Sequence, residues 1–169
     1  GLVIKPVLRG CAIKQRENDF LVEAAAGENW DDIVALAVKA QLFGIENLSG
    51  IPGTVGAAPI QNIGAYGVEV AEFIESVEVY DIEKNIFSTL SAEDCNFGYR
   101  MSNFKTIWKG KYIVVAVTFT LSKDAVPTIR YPGIEAVIPE GQTLTAQLLR
   151  ETIIAVRWSK LPRPEVLPN

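Results

Sequence analysis

The chain has 169 residues, of which 49% are hydrophobic and 21% charged, enough apolar material for one globular core under an ordinary surface. A net charge of −4 argues against a nucleic-acid or membrane-surface role, because both select a basic face, and the longest apolar runs, such as 112–117, are too short to span a bilayer. With no histidine, the chain itself offers no His-based zinc site and no Ser-His-Asp or Cys-His chemistry.

Residues 2–8 and 20–25 read as short strands joined through a turn-prone segment at 15–19. No secretory signal precedes them, and the opening Gly-Leu-Val in place of Met reads as a segment boundary or processing site. A helix follows. Asn29 caps it, Asp31 and Asp32 favour its first turn, and Trp30, Ile33, Val34, Ala37 and Val38 form an apolar stripe, with Gly44 as the stop. Residues 72–82 alternate as a strand and form a hairpin with 85–90, turning near Glu83, Lys84 and Asn85. Residues 111–121 are β-branched and aromatic, as in a buried strand. Thr145 caps a last helix with the stripe Leu148, Leu149, Thr152, Ile153 and Val156, ending near Arg157. The tail, 160–169, carries three prolines and reads as extended. The fold class is therefore α+β, a mainly antiparallel sheet with two or three packed helices. Cys11 and Cys95 lack metal-ligand spacing and read as buried free thiols of a reducing compartment, with a disulfide between them still open.

The stretch IPGTVGAAPIQNIGAYG, 51–67, holds four glycines, three alanines and no charge. Glycine permits positive φ and lets another group touch the main chain, and successive small-residue turns can aim several N–H groups at one point. TVGAAP and NIGAYG each suit a short helical turn, and the amides of Gln61 and Asn62 add uncharged donors and acceptors. Such a surface suits a flat, polar, partly anionic ligand such as a flavin dinucleotide. Tight packing of small residues under a helix explains the same composition.

Residues 44–70, together with AGENWDDIVALAV at 26–38, CNFGYRMSNFK at 95–105 and RWSKLPRP at 157–164, resemble the UDP-N-acetylenolpyruvoylglucosamine reductase family (MurB) over nearly the whole chain. The resemblance implies the second FAD-binding subdomain of the vanillyl-alcohol-oxidase-like (PCMH-type) fold. It also implies a cytoplasmic enzyme of peptidoglycan precursor synthesis that uses NADPH to reduce FAD. The FAD then reduces UDP-N-acetylglucosamine enolpyruvate to UDP-N-acetylmuramate. On this reading residues 1–169 are one FAD-binding subdomain. The family's upstream GGGSN-type segment, the segment with its serine proton donor and its catalytic glutamate lie outside the sequence, so the segment alone is expected to be inactive.

The resemblance makes Arg100 the active-site arginine, and a planar, permanently charged guanidinium suits a carboxylate on which charge develops. Tyr99 beside it reads equally as packing or flavin contact. The resemblance puts Tyr131 and Lys160 on the substrate's nucleotide-diphosphate portion, against readings as a half-buried loop residue and a solvated charge. For FAD the candidates are Ile51, Pro52, Gly53, Val55, Gly56, Gln61, Asn62, Gly64, Ala65 and Tyr66, with Val114 from the buried strand and Gly56 expected to be least tolerant of change. Glu75, Glu78, Asp81 and Glu83 read as solvated charge, and no metal site is expected. Competing readings are another flavin oxidoreductase of the same fold and a folded segment that retains no flavin. Partners are limited to the small-molecule substrate, and no oligomeric state follows from the sequence.

Overall fold

The computed structural model describes residues 3–138 and 141–161. Five antiparallel strands form one sheet in the order β1-β2-β7-β5-β6, where β1 is Cys11–Arg16, β2 Asp19–Ala25, β5 Ile74–Asp81, β6 Ile86–Ser91 and β7 Tyr112–Ser122. A small hairpin, β3 (Gly64–Ala65) with β4 (Val68–Glu69), stands apart from it. Four helices are described: α1 (Trp30–Lys39), α2 (Ala92–Cys95), α3 (Pro132–Glu135) and α4 (Ala146–Lys160), of which α2 and α3 are single turns. None is long and apolar enough to cross a membrane.

The central strands supply the core. Val22 and Ala24 of β2, Val77 and Val79 of β5, and Val117, Phe119 and Leu121 of β7 are buried beneath the stripe Trp30, Ile33, Val34, Ala37 and Val38 of α1. Trp30 meets Phe119 edge to face at 5.7 Å and donates its indole N–H to the Leu48 carbonyl, so a buried aromatic keeps its polar atom satisfied. Alternation in β5 slips between Ile74 and Ser76, where a register shift against β7 lets Ile74 and Val77 both face inward. A second cluster of Ile134, Leu149, Ile153 and Val156 joins α3 to α4 and takes in Tyr66.

Several sequence expectations need correction. The strand expected at 2–8 does not form over its described residues, 3–8: Pro6 lacks a donor, Val3, Ile4, Val7 and Leu8 are exposed, and the first ladder begins at Cys11. The segment instead lies across Gly27, whose N–H reaches the Leu8 carbonyl and where a Cβ would stand 2.5 Å from that oxygen. α1 stops at Lys39, with Gln41 in the left-handed region (φ +56°), and Gly44 is required because a Cβ there would strike the Phe73 ring at 2.7 Å. α4 runs to Lys160, past Arg157, capped as expected by Thr145. Leu148 on it is only half-buried. Asp81 is buried, its carboxylate accepting the N–H groups of Glu83 and Lys84 at the β5–β6 turn. Cys95 is buried but Cys11 lies exposed on the edge strand, and both thiols are free. Of the proline-rich tail, residues 162–169 lie outside the described residues.

Candidate functional site

The glycine-rich loop is clamped where it begins. Gly50 (φ +71°) donates its N–H to Asp31 at 2.6 Å and accepts from Arg157 Nε at 3.1 Å, while Arg150 grips the same Asp31 carboxylate through both Nη atoms at 2.6 and 2.8 Å. Burial pushes the Asp31 carboxyl upward, but Arg150, the Gly50 N–H and the Arg157 charge outweigh it and hold the group below its ordinary value. Beyond Gly50 the chain pairs with the start of α1: Trp30 N–H reaches the Gly53 carbonyl and Val55 N–H the Glu28 carbonyl. A 3₁₀ turn at Val55–Ala57 follows, so TVGAAP does open a helical turn, whereas NIGAYG forms the β3–β4 hairpin.

The N–H groups of Ile51, Gly53 and Thr54 find no hydrogen-bond partner among the described residues. Gly53 has φ +123°, a conformation open to glycine, and a Cβ there would meet no atom within 4 Å. From Thr54 onward the loop borders an apolar groove of about 630 Å³, shared with Gly56, Ala57, Ile60, Tyr112, Val114 and residues 3–6.

A second groove, of about 430 Å³ and more polar, opens further along the same segment between residues 64–69, Glu72, Tyr99 and Arg100. Gly98 and Met101 exchange both main-chain hydrogen bonds at 3.0 Å, leaving Tyr99 and Arg100 as a two-residue turn. Arg100 has φ +53°, an uncommon conformation for a side chain of this size. Its Nη1 donates to the Asn62 carbonyl at 3.2 Å and Nη2 to the Gly64 carbonyl at 2.5 Å, while Lys105 Nζ holds the Arg100 carbonyl at 3.0 Å. Tyr99 is 82% exposed and its ring lies 5.2 Å from the guanidinium carbon. No carboxylate pairs with Arg100 among the described residues, and its guanidinium hydrogen bonds go to neutral carbonyl oxygens.

Residues 1–87 match the family model described as FAD binding domain. The chain belongs to this family of FAD-binding domains. It is 47% identical, over all of its length, to a UDP-N-acetylenolpyruvoylglucosamine reductase of Pseudoalteromonas translucida and 46% identical to one of Neisseria meningitidis serogroup A, covering 49% and 50% of those proteins. Among solved structures, UDP-N-acetylenolpyruvylglucosamine reductase (MurB) from Thermus caldophilus superposes with a TM-score of 0.61 at 27% identity, over 83% of this chain and 44% of that one. The chain thus spans about half the length of the curated relatives it matches. FAD is the cofactor of this domain.

The residues present fit that cofactor. Three unpartnered main-chain N–H groups in the left-handed and extended turns of 51–54 offer anion contacts, and the adjoining groove is apolar enough for a ring system. The individual candidates divide. Pro52, Gly53 and Gln61 are exposed, Ile51, Gly64, Ala65 and Tyr66 are half-buried, and Val114 is nearly buried at the groove wall. Val55 is wholly in the core, so only its main chain can touch a ligand. Gly56 is buried too: a Cβ there would stand 2.7 Å from Ala26 Cβ, just past the end of β2, so its intolerance of a larger residue has a packing cause. Asn62 was expected to offer its amide outward; it is fully buried and all three of its side-chain hydrogen bonds run inward.

Tyr66 (φ +50°) meets Tyr131 edge to face at 5.6 Å, which joins the polar groove to the start of α3. Lys160 is exposed at the end of α4, and no hydrogen bond or ion pair among the described residues links it to Arg100 or Tyr131. Sequence reasoning passed over Glu69 and Glu72, which line the groove and cap each other across the 3₁₀ turn at Val70–Glu72, and Arg130, which pairs with Glu72. The signal present was an acidic pair three residues apart, the spacing of a capping box.

Proposed function

We propose that this chain is the FAD-binding part of an NADPH-dependent reductase that converts UDP-N-acetylglucosamine enolpyruvate to UDP-N-acetylmuramate in peptidoglycan precursor synthesis, a cytoplasmic task. The activity belongs to the longer protein, in which residues 1–169 form one FAD-binding subdomain and further segments supply a second FAD-binding subdomain, the substrate domain and the proton donor. The observation that carries this reading is a guanidinium free of any ion pair among the described residues and anchored by the Asn62 and Gly64 carbonyls of the same glycine-rich segment whose first residues, 51–54, leave main-chain amides unpartnered.

Bound FAD supplies the hydride that passes from NADPH to the enol ether. The chain's own residues do the rest of their work by position. The main chain of Ile51, Pro52, Gly53, Val55 and Gly56 would hold the cofactor, with Gln61, and with Gly64, Ala65 and Tyr66, which share the polar groove with Arg100. Val114 closes the apolar wall. Arg100 holds the enolpyruvyl carboxylate and stabilises the negative charge that grows there as the alkene is reduced. Both stages need a fixed, planar donor pair. Tyr131, against Tyr66, and Lys160 bind the nucleotide-diphosphate portion of the substrate.

The test is Arg100→Lys in the full-length protein that contains this segment. FAD content and the rate of flavin reduction by NADPH stay unchanged, and flavin reoxidation by the enolpyruvyl substrate slows by about 100-fold, the scale of losing one charge-stabilising donor. Equal loss in both half-reactions would make Arg100 a flavin-site or folding residue and remove the proposal's main support.

A further inference from the structure

Asn62 is wholly buried and has φ +46°, yet it touches both the first residue of the turn that carries Arg100 and the Arg100 guanidinium itself. Its Nδ2 donates to the Gly98 carbonyl, the first residue of that turn, at 2.9 Å, and to Glu69 Oε2, also at 2.9 Å. Its Oδ1 accepts the Ala71 N–H at 3.0 Å. The main-chain carbonyl of the same residue receives Arg100 Nη1. We propose that Asn62 is the positioning residue for Arg100. It fixes the Gly98 end of the turn through its side chain and the guanidinium through its main chain. The inference rests on the reading of Arg100 given above.

The geometry requires an amide at this point. A two-residue turn with a large side chain at positive φ relaxes unless its ends are held. Here Gly98 and Met101 pair the ends with each other, and the turn as a whole is tied to the loop by a buried amide whose two N–H donors and one carbonyl oxygen are all engaged, so it has no freedom to rotate. Aspartate has the same shape but no donor. It would set a carboxylate against the Gly98 carbonyl and the Glu69 carboxylate, and the turn would lose its tie. A separate contact, Ser102 Oγ to the Ile60 carbonyl at 2.6 Å, still joins the chain just beyond the turn to the loop, so removal of the Asn62 amide frees the direction of Arg100 and leaves the two segments attached. With its side chain turned inward, Asn62 reaches the groove only through its neighbours, Arg100 and Glu69, and the Arg100→Ala double variants separate the two routes.

The experiment uses the full-length protein with Asn62→Asp, Asn62→Gly and Arg100→Ala, singly and combined, and follows FAD reduction by NADPH and reoxidation by the enolpyruvyl substrate in rapid mixing. Asn62→Gly keeps the left-handed backbone and the carbonyl while deleting the amide, and it decides the matter where Asn62→Asp does not fold. Each Asn62 change is expected to slow reoxidation at least about tenfold, to leave FAD content and reduction within about twofold, and to add nothing once Arg100 is alanine. The ratio of Asn62→Asp to wild-type reoxidation rises as pH falls from about 8 to about 5.5, because a protonated carboxyl regains a donor. Multiplicative losses in the double variants, unchanged reoxidation in both Asn62 variants, or loss of both half-reactions together with a flat pH ratio would each overturn the inference. An Arg100→Ala protein with normal reoxidation would overturn the underlying reading of Arg100 instead.

Discussion

A Cβ at residue 64 would lie 2.5 Å from Nη1 of Arg100, so the guanidinium occupies space that only a glycine leaves open. The φ of Gly64 is ordinary; the constraint is the neighbour, and the Val68 carbonyl at 2.9 Å tightens it. Gly64→Ala in the full-length protein should therefore displace Arg100 while keeping the FAD content. The expected result is a loss of about 10- to 100-fold in reoxidation by the enolpyruvyl substrate, with thermal stability lowered by only a few degrees, as for an overpacked hairpin. A Gly64→Ala protein with wild-type reoxidation would show that the guanidinium works equally well from another position.

Gly56 gives the opposite outcome. Its missing side chain faces Ala26 Cβ at 2.7 Å and the Ala26 carbonyl at 3.2 Å, both on or beside β2, which cannot retreat without disturbing its pairing with β7. Gly56→Ala should cost about 1–3 kcal/mol of folding stability and Gly56→Val more. Denaturant unfolding followed by tryptophan fluorescence reads this directly through Trp30 in the core. An unchanged midpoint for Gly56→Val, with FAD lost, would mean that the cofactor, and not packing on Ala26, requires the missing side chain.

The contrast between these two glycines shows where sequence reading ends. Local features were legible: the caps Asn29 and Thr145, the α1 stripe and the β5–β6 hairpin depend on neighbours within a few residues. The role of a glycine depends on what stands opposite, and Ala26 and Arg100 lie 30 and 36 residues away from Gly56 and Gly64. Asn62 turned inward for the same reason, because the Gly98 carbonyl it binds is remote in sequence. The segment 2–8 looked like a strand because its residues are apolar, yet Val3, Ile4, Val7 and Leu8 are exposed, and the segment instead crosses Gly27 and borders the apolar groove. Arg100 was recognisable through the FGYR resemblance, but its left-handed turn was not, since arginine carries no signal for positive φ.

The thiols should separate in a labelling experiment. Cys95 is buried and its pKa is pushed up to about 12 by that burial and by Asp94, whereas Cys11 is exposed on an edge strand with its thiol raised by partial burial and by Glu28 and Glu23. Both are protonated near neutrality, so access decides. An uncharged alkylating reagent at about pH 8 should modify Cys11 slowly and Cys95 only after unfolding, as read by peptide mass spectrometry. Labelling of Cys95 at the rate of Cys11 would mean that α2 opens readily in the native state.

Asp31 ties α1, α4 and the start of the glycine-rich loop together, and its contribution should carry a pH signature. Its carboxyl is held below the ordinary value, near 3.9 for an unfolded aspartate. A depressed folded value means the charged form is favoured by folding. The stabilisation is therefore complete above the unfolded value and disappears as pH falls through the folded one. Asp31→Asn keeps an oxygen for the Gly50 N–H but removes the charge that faces Arg150, whose side chain is only 13% exposed. The variant should be less stable by about 1–3 kcal/mol at neutral pH, since a mostly buried guanidinium loses its partner. The gap to wild type should hold down to about pH 4 and close below it. Measured by urea unfolding at several pH values, a gap that stays constant from neutral to acid would mean that the Asp31 charge contributes nothing to the clamp. Widening of the gap in acid would reverse the assigned sign.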